Sequence, residues 1–159
     1  MLYTFHIHFE DSMYWGECRE LPGCVSQGTT QEELKINLAE ALNLYLEESR
    51  DSEVHGTLPG NDVILDPEYL SIPVDPEIAF GVLLRAARQA AKLTQKQAAE
   101  RLGMKNLYSY QRLERRSNPT LVLLKKIKQI FPQISLDQMM ETGADRESAD
   151  SLFNPACPS

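Results

Sequence analysis

Two prolines, Pro73 and Pro76, divide this chain into a part that opens on strict two-residue alternation and a part that is helical in period throughout. A period of two turns one face of a strand toward a core, and a period near 3.6 does the same for a helix. The two parts therefore need separate architectures, and 159 residues suffice for two small domains. The expected division is a first domain at 1–74, a proline-marked linker in IPVDPE (72–77) and a second domain at 77–142. Gly143, Pro155 and Pro158 predict a disordered tail at 143–159.

In LYTFHIHF (2–9), Leu2, Thr4, His6 and His8 point one way and Tyr3, Phe5, Ile7 and Phe9 the other. Asp11-Ser12 predicts a turn and MYWGECRE (13–20) the returning strand of a hairpin. Pro22-Gly23 breaks that strand, and Cys24–Gln27 is a short third one ended by Gly28. Thr30 and Glu33 have capping-box spacing, with Thr29 and Glu32 as an equal alternative. Leu34, Leu38, Ala41, Leu42 and Tyr45 then form the apolar face of a helix at 30–48. Short strands near 62–65 and 70–74 are the most that the glycine- and proline-rich stretch 54–75 allows. The first domain thus reads as α+β with the order β-β-β-α-β.

Charge follows the same division. Residues 1–76 carry 15 acids and 3 bases, a balance of −12; residues 77–142 carry 5 acids and 12 bases, a balance of +7. Such asymmetry points to two partners of opposite charge, with two merely solvated surfaces as the plain alternative. No apolar run is long enough to span a membrane and no secretory signal is apparent, and the three cysteines lack metal spacing. Free thiols in a cytoplasmic protein are expected.

The basic part predicts all-α structure. A first helix uses Ile78, Val82, Leu83 and Ala86-Ala87 and runs to about Lys92. LTQKQAAERLG (93–103) follows, with Thr94 as N-cap, Ala98 and Leu102 buried and Gly103 as the stop. A third helix at 106–116 turns Leu107, Tyr110 and Leu113 inward. Pro119 opens a fourth with the stripe Leu121, Leu124, Ile127 and Ile130-Phe131, and Leu136, Met139 and Met140 begin a last short one. Helix, glycine turn, helix is the helix-turn-helix arrangement, whose second helix fits the DNA major groove. Candidate DNA contacts are Gln95 and Lys96 at the start of the first helix of the pair. Lys105, Asn106, Tyr108, Ser109, Arg112, Arg115 and Arg116 join them on and around the second. A bundle with a solvated basic face is the competing reading.

Two resemblances emerge from these residues. LRAARQAAKLTQKQAAERLGM (84–104) with LERRSNPTLVLLKKI (113–127) resembles the phage-repressor type of helix-turn-helix. It departs from that pattern by one residue more between Gly103 and Glu114 and one fewer between Glu114 and Asn118. YWGECRELPGCVSQG (14–28) with TTQEELKINLAEALNLYLEE (29–48) is similar to HicB-type antitoxins. That resemblance implies a partial ribonuclease-H-like fold without nuclease activity, a HicA-type RNA-cleaving toxin as protein partner, and repression of its own promoter by a dimer or tetramer on operator DNA.

Trp15, Glu17 and Glu20 on the hairpin are candidate toxin contacts, Trp15 equally a core residue. A metal-dependent nuclease is a distant alternative: Glu10, Asp11, Glu17 and Glu20 show no evident convergence in sequence. A small-molecule sensor is another, although no phosphate-binding glycine loop is present. His6 and His8 share a strand face, but without a third ligand at a telling spacing they are assigned to a surface or partner contact. No enzyme activity, cofactor or metal is expected.

Overall fold

A computed structural model describes residues 1–48, 58–60, 64 and 66–142. Met1–Val74 contribute one compact unit and Asp75–Met140 a second. Of the strand expected near 62–65 only Ile64 is described, and it lies in no strand, while the tail at 143–159 lies outside the described residues.

The first unit is a four-stranded antiparallel sheet with one helix. Strands β1 (Leu2–Glu10), β2 (Met13–Cys18) and β3 (Val25–Gly28) precede helix α1 (Gln31–Glu48), and β4 (Tyr69–Pro73) follows it. The spatial order is β3-β2-β1-β4. Asp11 and Ser12 both have positive φ, 51° and 63°, as a two-residue hairpin needs if its twist is to match that of its strands. The resulting register pairs His6 with Glu17 and His8 with Trp15 across β1 and β2, and His6 with Tyr69 across β1 and β4.

Helix α1 covers the sheet face that carries Tyr3, Phe5 and Ile7. Leu34, Leu38, Leu42 and Leu46, one turn apart, are its buried stripe. Thr30 Oγ1 accepts from the Glu33 N–H, as a cap should. The Glu33 carboxylate, however, reaches one residue farther back than a regular capping box. It accepts from the Thr29 hydroxyl and N–H at 2.6 and 2.7 Å, which hold its pKa below the usual carboxylate value.

Cys18 and Cys24 are free, buried thiols. Burial raises their pKa values to about 12 and about 11. Both should therefore resist Ellman's reagent at pH 8 in the folded protein and react once it is denatured. Above about pH 9 an unfolded chain loses these protons while the folded one keeps them, so the unit should lose stability as pH rises from 9 toward 11. Rapid labelling of all three cysteines under native conditions at pH 8 would contradict this packing.

The second unit is helical: α2 (Pro76–Ala90), α3 (Gln95–Arg101), α4 (Leu107–Leu113), α5 (Leu121–Ile130) and α6 (Leu136–Met140). The expected linker is largely structured, because Ile72-Pro73 end β4 and Pro76 sits in the first turn of α2, where its missing N–H costs nothing. Pro119 does not open α5; Thr120 caps it, accepting from the Leu123 N–H. The apolar stripe of α5 is also narrower than expected. Ile127 and Phe131 are buried, whereas Leu121 and its neighbour Val122 are 82% and 70% exposed. Among the described residues, no helix is long and apolar enough to cross a membrane.

Candidate nucleic-acid interface

Helices α3 and α4 and the turn between them form the candidate site. Thr94 caps α3: its hydroxyl accepts from the Gln97 N–H, and the Gln97 side chain accepts from the Thr94 N–H. This reciprocal cap satisfies the Thr94 and Gln97 amides. Gly103 closes α3 with φ +69°, donating to the Glu100 carbonyl while Met104 donates to the Ala99 carbonyl. That pair of bonds is a Schellman ending, and the left-handed residue it requires is glycine. Asn106 caps α4 by accepting from the Ser109 N–H at 2.9 Å.

The orientation of α4 is fixed from below by a polar cluster around Glu114, only 4% exposed. Its carboxylate accepts from the Arg88 guanidinium in a two-pronged ion pair, from the Tyr110 hydroxyl at 2.8 Å and from Gln95 Nε2 at 3.0 Å. Gln111 Nε2 in turn donates to Gln95 Oε1. Burial opposes the charge on Arg88, but the Glu114 carboxylate outweighs it and raises the guanidinium pKa. Burial, and next the Glu114 charge, raises the Tyr110 pKa, so that hydroxyl remains a donor.

The predicted contact residues separate into two groups. Lys96, Lys105, Asn106, Tyr108, Ser109 and Arg112 are exposed on or beside α3 and α4. Tyr108 and Arg112 are one helical turn apart and so share a face of α4, with Lys105 just ahead of it. Gln95, Arg115 and Arg116 do not join them as expected. The Gln95 side chain is committed to the polar cluster. The helix ends at Leu113 instead of 116, so both arginines follow it and lie outside it. Arg116 bonds instead to Asp75 and Glu77 at the start of α2, at 2.9 and 3.1 Å.

Tyr110 is buried, but Leu107 is 41% exposed and does not face the core. It is the first residue of a two-turn helix, where periodicity alone cannot fix the facing. Exposed there, it can meet a thymine methyl. Glu114 escaped sequence reasoning because the arginine that neutralises it comes from another helix, 26 residues away.

A helix-turn-helix family model matches residues 84–139, which contain α3, α4 and the whole cluster around Glu114. The second unit therefore holds a DNA-binding helix-turn-helix domain. A UPF0150 protein of Synechocystis sp. is 39% identical over 69 residues, spanning 42% of this chain and 85% of that relative. The chain belongs to the UPF0150 family. The likeness falls on the N-terminal part, so this UPF0150 protein joins a family sheet unit to a DNA-binding domain. Replacing Lys105 with alanine should weaken DNA binding and reduce the slope of log affinity against log salt by about 0.9, one phosphate contact. Arg112→Ala should cost about 1–3 kcal/mol if it reads a base and change sequence preference as well. Gel-shift titrations at several salt concentrations distinguish these outcomes.

Proposed function

We propose that this UPF0150 protein is a HicB-type antitoxin. Its first unit covers the RNA-cleaving surface of a small basic HicA-type toxin, and its second represses the protein's own operon at a promoter operator. The observation that carries this reading is the joining, in one chain, of an acidic UPF0150 sheet unit to a basic helix-turn-helix domain. A balance of −12 over residues 1–76 suits a cationic protein, and one of +7 over 77–142 suits DNA. Exposed Leu121 and Val122 on α5 support pairing of the second unit into the dimer, or dimer of dimers, that reads a two-fold operator.

The first unit acts by binding and not by catalysis in this proposal. Glu20 is engaged internally, accepting from the Thr4 N–H, while Glu17 faces His8 and Glu10 borders the hairpin turn. Of the candidate toxin contacts, Trp15 and Glu17 remain available on one sheet face.

Co-expression tests the reading. The adjacent small reading frame, expressed alone, should arrest growth. The full chain and fragment 1–74 should each restore it, the fragment without repressing the promoter. A harmless neighbouring product, or rescue that requires RNA cleavage by this chain, would overturn the proposal.

A further inference from the structure

The sheet face opposite α1 carries a row of four rings. Tyr69 stacks on His6 with centroids 4.8 Å apart, His6 meets His8 edge-on at 4.1 Å, and His8 stacks on Trp15 at 4.0 Å. Glu17, paired with His6 across the hairpin, brings its carboxylate to 3.7 Å from His8 Nε2. One nitrogen of each histidine and one Glu17 oxygen all lie within 4.8 Å of one another. The third group that spacing along the sequence did not reveal is thus supplied by strand pairing.

His8 Nε2 is shielded from solvent and has no hydrogen-bond partner. The Glu17 oxygen is too far for a hydrogen bond, yet close enough for both atoms to ligate one ion. In a tetrahedral zinc site, neighbouring ligand atoms stand about 3.4 Å apart, a value that follows from bond lengths near 2.1 Å. Small side-chain rotations close the remaining gap. Stacking against Tyr69 and Trp15 holds the two imidazole planes, the orienting service that outer groups give in metal sites.

The geometry points to a binding site for a zinc-class divalent transition metal, with His6, His8 and Glu17 as its ligands. Two imidazoles and one carboxylate suit zinc or cobalt better than magnesium or calcium, which favour oxygen. Three protein ligands leave a fourth position for water or for a donor from a docked molecule. Glu17 and Trp15 are also candidate toxin contacts, so the metal is tested on the purified chain with no toxin present, where its failure leaves the antitoxin reading intact.

The full chain, stripped of metal with a chelator, should bind one Co2+ at this site. Trp15 is the only tryptophan, so its fluorescence reports the site directly. It should be quenched saturably by Co2+ and recover when Zn2+ displaces the quencher. Visible absorption should show tetrahedral Co2+ without the charge-transfer bands of thiolate ligation, which excludes the cysteines. Glu17 is half-exposed, so Glu17→Gln should fold normally while weakening affinity by roughly tenfold or more. The double variant His6→Gln/His8→Gln should lose saturable quenching, with circular dichroism confirming its fold. Absence of saturable quenching in the parent protein, or equal affinity in Glu17→Gln, would overturn the assignment.

Discussion

Replacing Glu114 with alanine is expected to destabilise the helix-turn-helix unit by about 3–5 kcal/mol, the cost of removing one partner from a buried ion pair. The change leaves the Arg88 charge, the Tyr110 hydroxyl and the Gln95 amide without the acceptor they share. A unit of this size is stable by only roughly 3–10 kcal/mol in all. The variant should therefore lose most of its cooperative unfolding transition and its DNA binding, while the first unit keeps its own. Glu114→Gln, which retains an acceptor for Tyr110 but gives up the charge, should fall between. Calorimetry reads both. A loss below about 1 kcal/mol for the alanine variant would mean that water reaches the cluster.

The second large effect concerns Gly81, in the middle of α2. A Cβ added there would stand 2.5 Å from the Arg115 carbonyl oxygen and 2.8 Å from that of Glu114. Both are backbone atoms and cannot rotate aside. Helix propensity alone predicts that Gly81→Ala stabilises by about 1 kcal/mol. Close packing predicts the opposite sign, a loss of about 1–3 kcal/mol, and more for valine. The carbonyl of Glu114 also accepts from Arg85, so displacing this turn breaks a further bond. Urea denaturation should show Gly81→Val with a lower midpoint and an impaired second unit. A gain in stability for Gly81→Ala would show that the turn after α4 is free to shift.

Where local rules act alone, the sequence was informative. Alternation in LYTFHIHF gives β1, Leu34, Leu38 and Leu42 fall at helical spacing on the buried face of α1, although Leu46 and not Tyr45 completes it, and Thr94 and Gly103 bracket α3 as their chemistry dictates. Short helices were less legible. Leu107 and Leu121 each begin a helix, and a single apolar residue at a terminus satisfies a pattern without being buried. Pairing over distance was hidden altogether. Nothing near Glu114 announces Arg88, nothing beside Arg116 announces Asp75, and Glu17 meets the histidines only because a two-residue turn folds β2 onto β1.

The network beneath α4 has a consequence for how such a protein can diversify. The groups that hold the helix, Glu114, Tyr110 and Gln95, point inward, while Tyr108, Ser109 and Arg112 point out and support nothing else but a cap. Duplicated copies in one genome can thus drift toward distinct promoters by exchanging a few outward residues, each keeping an intact scaffold and avoiding crosstalk with its siblings.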